Sequence, residues 1–501
     1  MDELREVAAV VSKNKIKEIN TLDYARRGDR VFDFYEKILS NQFTCDQEAF
    51  EYYYNNPAQR AQYRKLKAKL RDRLFNTLFF IDVNKSKFSD AQKAFYQCHK
   101  DLMVVKLLSG RYARKAAISL ATRTLQKSKK FELTAVSIEL LRFIKRYHAL
   151  YTGDLKSYNK ALIDLRKHEH DLQLETKAVD YYEDIHIHYR KNLHLGKKVR
   201  DRARMYIAEL EKDCMVCKTF LLNHMTFSLI GFIENIENNL SKVVENCDRA
   251  IRFFNGKPYV SPHFVGGFYY NKLLSISKLG DYGKGNRIFT KCRSTFERGT
   301  LRWYKSHEYY FILCMHTGRY AKGPILIQEV CSTREFKYQN ERRIERWRIY
   351  SAYVHYLQSI GKLMEGNDFK KFRLNKFLNE VPKYSADKRG YNVPVLVIQI
   401  LFLIQEGKYD QLSDRIEAIE KYTFRYLKKD NNFRTNCFIK MLLQVPKRHF
   451  HRVAVERHAN PYLEKLNRES VNRSSETFEI EIIPYEHLWE YVVESLDKKF
   501  H

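Results

Sequence analysis

Cys214-Met215-Val216-Cys217 is a lone Cys-x-x-Cys. Thiolates at this spacing hold zinc when a second ligand pair stands at matching spacing. They exchange disulfides when the pair opens a helix in a β-α-β setting. The sequence supplies neither context, so the two thiols read as packing on a helical face. The imidazoles crowd at His168-Glu169-His170 and His186-Ile187-His188, with His194 nearby. On a helix, residues i and i+2 face apart, so neither pair chelates. Asp184 and His188, at i and i+4, share a face and suit a carboxylate–imidazole contact. Gly280-x-x-Gly283-x-Gly285 has the glycines of a phosphate cradle but joins two helical patterns and lacks the preceding strand. No Gly-x-Ser-x-Gly elbow, His-Glu-x-x-His run or scaffolded carboxylate pair occurs. No catalytic residue, metal ligand or cofactor is therefore expected.

Residues suited to binding are easier to find. Arg342-Arg343-Ile344-Glu345-Arg346-Trp347-Arg348 is the densest basic–aromatic run, and Lys447-Arg448-His449-Phe450-His451-Arg452 is the second. Arg342 and Arg346 fall on one helical face, and Arg343 is spaced to lie over Trp347 at i+4. Guanidinium groups of this kind clamp carboxylates or phosphates; the plainer reading is a solvated helix face. The candidate partner-binding residues are thus Arg342, Arg343, Arg346, Trp347, Arg348, Lys447, Arg448 and Arg452. Tyrosines cluster at Tyr52–Tyr54, Tyr181-Tyr182, Tyr269-Tyr270 and Tyr309-Tyr310. Their apolar rings and polar tips serve interfaces and inter-helix packing alike.

The elements that must carry these residues follow from composition and rhythm. A formal net charge of +30 attracts nucleic acid, an anionic membrane face or an acidic protein without choosing among them. Nine prolines and eighteen glycines are few for 501 residues, which favours long helices over turn-rich β structure. The most apolar windows, Phe220–Ile233 and Val393–Ile404, fall short of the ~20 residues that cross a bilayer. Met1–Ile16 opens with charged residues and does not read as a secretory signal. Nine cysteines without a framework spacing suit reduced thiols, and a cytoplasmic location is expected.

Gly280-Asp281-Tyr282 and Gly318-Arg319-Tyr320 each end one apolar-periodic segment just before a second begins, the outline of a helix, a tight turn and a helix. Similar punctuation stands at Gly110, Gly153, Gly196 and Gly407, with weaker forms at Asn238 and Gly361 or Gly366, so hinges recur every 38 to 46 residues. Residues 1–88 read as an N-terminal helical capping region whose first long helix is capped near Thr21-Leu22-Asp23. Residues 89–430 read as repeats, including a long helical stretch from Asp154 to Asn192 and a last pair ending with Tyr409–Tyr426. Residues 431–468 read as C-terminal capping helices, and 469–501 as a linker, a strand and a terminal helix. The strand rests on Phe478–Ile483, which alternates at period two, and an exposed edge there could pair with a second copy.

The hinge turns resemble those of tetratricopeptide repeats. That family sets a small residue five positions after the turn glycine and an aromatic nine after it; Gly285 and Phe289 match, and Gly323 and Ile327 match loosely. The first helices depart from the pattern, with Tyr269 or His307 at the large-aromatic position and Leu273 or Phe311 at the small one. The spacing of about 42 also exceeds the family's ~34. The resemblance covers residues 89–430 and implies an all-α, right-handed solenoid of antiparallel helix pairs that holds a protein segment along one face. The expected function is a non-enzymatic scaffold for an acidic or aromatic-containing segment. The alternative is a solenoid that binds RNA or DNA without sequence preference.

Overall fold

The computed structural model describes residues 1–13, 30–79, 81–83, 88–192, 195–363, 373–381, 392–408, 411–412, 433–468 and 480–497. The expected cap at Thr21-Leu22-Asp23, Gly366, and the expected helix Tyr409–Tyr426 beyond Gln411 and Leu412 lie outside them. Every regular element among the described residues is helical, so the chain is all-α. It divides into two compact units, Met1–Thr176 and Lys177–His501.

In the first unit, helices α1 (Asp2–Lys13), α2 (Arg30–Leu39), α3 (Asp46–Tyr53) and α4 (Arg60–Leu78) enclose Leu4, Phe34, Leu70 and Leu74. Helix α5 (Asp90–Gly110) starts from a reciprocal cap. Ser89 Oγ accepts from the Gln92 N–H at 3.3 Å, and Gln92 Oε1 accepts from the Ser89 N–H at 2.9 Å. It packs on α6 (Arg114–Lys130), which packs on α7 (Thr134–Tyr147), and α5 also reaches α7. A single π turn, His148–Thr152, then ends at Gly153 with φ 65°.

The glycine-free stretch after Gly153 forms one continuous helix, α8 (Leu155–Asn192). The second unit continues through α9 (Lys197–Val216), α10 (Phe220–Ile236), α11 (Leu240–Asn255), α12 (Pro262–Leu279), α13 (Tyr282–Thr295), α14 (Leu301–His316), α15 (Lys322–Cys331) and α16 (Glu341–Ser359). From α9 to α16 each helix packs on the next, and α12 also packs on α14.

The hinges have a common cause. The last carbonyls of a helix lack partners, and a left-handed residue swings the following N–H back onto them. The same long-reach bond recurs from Ala113 to Leu108 (2.9 Å), Leu133 to Ser128 (2.8 Å), Asn239 to Glu234 (2.8 Å), Arg319 to Cys314 (2.8 Å) and Lys408 to Leu403 (3.0 Å). The left-handed residues there are Tyr112, Glu132, Asn238, Gly318 and Gly407. Gly110 is thus the last residue of α5 rather than the left-handed one, and Gly196 caps the start of α9.

Helices α14 and α16 are buried on nearly every side, with Tyr304, Phe311, Trp347, Tyr350 and Tyr353 fully enclosed. Against this core lie the helices Val393–Glu406, Phe433–Leu442, Arg452–Arg468 and Tyr485–Asp497. The expected C-terminal strand is not formed among the described residues: Ile480–Ile483 are turn and bend, while Phe478 and Glu479 lie outside them. Ile480, Ile482 and Ile483 are all buried, so the alternation does not divide a wet face from a dry one. Side chains, not a ladder, bind the segment in place. Arg434 donates to Glu481 through Nε at 3.1 Å and Nη2 at 2.8 Å, and His316 Nε2 donates to the Glu481 carbonyl. The Glu481 carboxylate in turn accepts from the Tyr485 N–H at 3.0 Å and so starts the last helix.

Candidate functional site

Two arginines of the run on α16, Arg343 and Arg346, turn inward, whereas Arg342 and Arg348 stay exposed. Arg343 Nε donates to Glu308 Oε1 at 3.1 Å, Arg346 Nη1 to Oε2 at 2.8 Å, and Lys305 Nζ to Oε2 at 2.8 Å. Glu308 is only 2% exposed. Burial pushes its carboxyl up, but the field of Arg346, Lys305 and Arg343 outweighs that and holds it below the usual range. Arg343 lies over the Tyr304 ring at 5.5 Å rather than over Trp347. Glu308 draws the guanidinium away, and Trp347 sits in the core against Phe311 and Tyr350. Arg348 binds the Glu380 carbonyl at 2.7 Å. Arg342 is exposed and forms no ion pair among the described residues. Lys447, Arg448 and Arg452 are exposed around a turn whose His449 and Phe450 are left-handed, and Arg452 pairs with Glu456 at 3.4 Å. Helix α16 packs on α15 and Val393–Glu406, whereas Gln444–Lys447 packs on Phe433–Leu442 and Arg452–Arg468. The two runs therefore have different supports.

The sulfur and imidazole groups sit in packing roles. Cys214 Sγ contacts Thr226 Oγ1 at 3.4 Å, burial pushes its thiol up, and Cys217 is buried at the end of α9. His186 lies between the rings of Tyr182 and Phe232, each at 4.1 Å, and burial lowers its pKa. His188 meets Asp184 at 3.6 Å, and His194 lies outside the described residues. Among the described residues no cluster of His, Cys, Asp or Glu is arranged to hold a metal ion. Several tyrosines pack between helices: Tyr181 stacks on Tyr206 at 3.7 Å, and Tyr310 donates to Asn286 Oδ1 at 2.6 Å.

The sequence gives no warning of a groove of about 840 Å³ formed by α11, α12 and α13 at the Gly280 hinge. Its geometry starts from α13, whose buried face carries Gly285, Phe289 and Cys292. Phe289 stacks on Tyr310 at 4.0 Å with an interplanar angle of 7°. At Gly285 a β-carbon would collide with the Leu313 side chain, so only glycine allows so close an approach. This packing fixes the roll of α13 and turns Lys284, Arg287 and Lys291, spaced three and four apart, into the groove. Helix α11 contributes Val244, Asp248 and Arg252, each four apart, and α12 contributes Tyr269, Lys272, Ile276 and Leu279. Asp281 caps α13 by accepting from the Lys284 N–H at 2.9 Å.

Electrostatically the groove is unbalanced. Asp248 holds Lys272, and Asp281 holds Lys284 at 3.0 Å. Arg252, Arg287 and Lys291 are exposed and have no carboxylate partner among the described residues. The Arg287 charge contributes to holding the Asp281 carboxyl low, behind the larger effect of its bonds to Lys284. Free cations therefore ring a floor of Ile276, Leu279 and Ile288, with the Tyr269 ring beside them. The charge columns on each helix could have been found from their three- and four-residue spacing; their convergence could not.

Comparisons with protein-family models, with curated proteins and with solved structures find no match. No helix of the described residues is long and apolar enough to cross a membrane.

Proposed function

We propose that the chain is a non-enzymatic scaffold of tetratricopeptide-like helix pairs stacked as a right-handed solenoid. Its groove at the Gly280 hinge would hold an acidic segment of a partner protein with one apolar or aromatic anchor. The observation that carries this reading is the set of unpaired cations, Arg252, Arg287 and Lys291, around an apolar floor. A carboxylate entering such a groove exchanges water for charge-assisted hydrogen bonds, and its apolar neighbour leaves water at the floor. The repeat reading is supported by Gly285 and Phe289, which occupy the small and aromatic positions after the Gly280 turn and are both buried. Free thiols at all nine cysteines suit a reducing, cytoplasmic setting.

The nucleic-acid alternative is less well served by this groove. A phosphate backbone favours an uninterrupted cation track, and Glu245, Asp248 and Asp281 interrupt this one. The test uses the full chain and three labelled probes: a Glu/Asp-rich peptide with one Leu and one Phe, the same peptide with alanine at both, and a single-stranded RNA oligonucleotide. The Leu/Phe peptide should bind best, and binding should weaken as salt rises, because surface charges are screened over ~8–10 Å. Arg287→Glu with Lys291→Glu should reduce that affinity about tenfold, roughly 1.4 kcal/mol, with an unchanged helical circular dichroism signal. Stronger binding of the RNA, or indifference to the double reversal, would overturn the reading.

A further inference from the structure

The first unit bears a second concave surface of opposite character. A trough of about 950 Å³ runs between the end of α4, the side chains of Ile81, Val83 and Phe88, and the outer face of α5, with Val10 of α1 at its side. Its floor and walls are Phe75, Leu78, Phe88, Tyr96, Leu102 and Met103, among others, and no carboxylate among the described residues lines it. Large apolar side chains stand open to solvent: Phe79 is 60% exposed, Met103 52% and Tyr96 43%. The apolar surface runs on along α5 to Phe95 at one end and Leu107, 61% exposed, at the other. Single exposed hydrophobics are ordinary, but a contiguous set of this size marks a site of contact.

We propose that this trough is the docking site for an amphipathic, acidic helix of a partner protein. It is independent of the groove at the Gly280 hinge. Three features select that occupant. The charged groups of the lining are Lys100 and Lys106, and the flanking helices are strongly basic. Helix α4 carries seven Lys or Arg to one Asp, and α6 carries only cations. Lys100 reaches the Ile81 carbonyl at 3.4 Å, and Lys106 pairs with Glu139 of α7, outside the trough. An acidic partner is thus the electrostatic complement.

The polar side chains of the lining besides Tyr96 are already engaged: Gln92 caps α5, His99 Nδ1 meets the Phe95 carbonyl at 2.9 Å, and Lys100 and Lys106 hold the partners just named. An extended peptide would bury unpaired N–H and C=O groups, whereas a helix satisfies its own and presents apolar residues at i, i+3, i+4 and i+7. A second copy of this chain is disfavoured by the same charges. In a twofold interface Lys100, Lys106 and the basic helices would face their own duplicates. A membrane surface is a poorer match because these side chains line a concavity rather than project from a ridge.

The experiment measures fluorescence anisotropy of a labelled synthetic helix with Leu and Phe on one stripe and Glu elsewhere, against a scramble of identical composition. The full chain should bind the striped peptide at least tenfold more tightly than the scramble. Met103→Glu and, separately, Leu107→Glu, both at exposed positions on α5, should each weaken it about tenfold with the helical signal unchanged. Arg287→Glu with Lys291→Glu should leave it untouched, which separates this site from the other groove. Equal binding of the scramble, or indifference to both α5 variants, would overturn the proposal. So would self-association in sedimentation that Met103→Glu abolishes, which would assign the trough to a second copy. Preferential binding to phosphatidylserine-containing vesicles would assign it to a lipid surface and overturn it likewise.

Discussion

A β-carbon on Gly285 would run into the side chain of Leu313, and Leu313 is completely enclosed in the core beneath α13. The contact sets the approach of α13 to α14 and, with it, the direction of Lys284, Arg287 and Lys291. Gly285→Ala should therefore destabilise the chain by about 1–3 kcal/mol, the cost of overpacking a filled core. Gly283, two residues earlier on the same helix, meets only Asp281 Oδ1 at an ordinary 3.7 Å. There the alanine should be neutral or stabilising by about 0.5–1 kcal/mol, since it restricts the unfolded chain at no steric cost. Urea midpoints moving in opposite directions for the two variants are the expected result; equal shifts would remove the steric account.

How much of this was legible in the sequence follows from which residues carry it. The hinges at Gly280, Gly318 and Gly407 could be read because a left-handed turn favours glycine. The hinge between α6 and α7 could not, because Glu132 adopts the same conformation without that signal. For the arginine run, spacing predicts which residues share a face. It cannot say that the neighbouring helix offers Glu308, thirty-five residues earlier than Arg343. The period-two tail failed for a related reason. Alternation implies a strand only when one face stays wet, and here Glu481 itself is buried against Arg434.

Glu308 makes a sharp distinction within the arginine run. Arg346→Glu would set a second carboxylate beside a buried one and remove one of its three cations. Breaking a buried ion pair in this way should cost roughly 3 kcal/mol. Arg342→Glu, exposed and without an ion pair among the described residues, should stay within about 0.5 kcal/mol of the parent. Denaturant unfolding of the two single variants checks this, and equal stability would mean that the Glu308 cluster contributes little. Reversing Arg346 is consequently a stability experiment, and the partner test belongs on Arg287 and Lys291.

The last helix gives a second stability test. Arg434 also donates to both Glu486 oxygens at 2.8 Å, and Tyr320 shares its hydroxyl with His487 Nδ1 at 3.0 Å and Tyr491 at 3.1 Å. Arg434→Met strands Glu481 in the core and should cost about 3–5 kcal/mol; adding Glu481→Leu should recover much of it. Ending the chain at residue 479 should lower the melting temperature and expose apolar surface to a dye such as ANS. A truncated chain as stable as the parent would show that the docking of Tyr485–Asp497 is incidental.

Acid should weaken the packing of the N-terminal helices through Asp46. Asp46 accepts from Lys67 Nζ at 2.7 Å, from Tyr63 Oη at 2.8 Å and from the Met1 amino group at 3.1 Å. Partial burial raises its pKa, but these bonds, led by Lys67, more than offset that and bring it to about 2. Its unfolded value is ~3.9, so the folded form binds the proton less readily than the unfolded form. The resulting stability is fully present above pH ~4 and is lost as the pH falls toward the folded value. Because the side chain is 46% exposed, solvent screening keeps the contribution modest. Asp46→Asn should be less stable than the parent at pH 7, and the gap between their urea midpoints should close between pH ~4 and ~2. A gap that persists unchanged to pH 2 would show that the aspartate acts through shape and hydrogen bonding rather than through its charge.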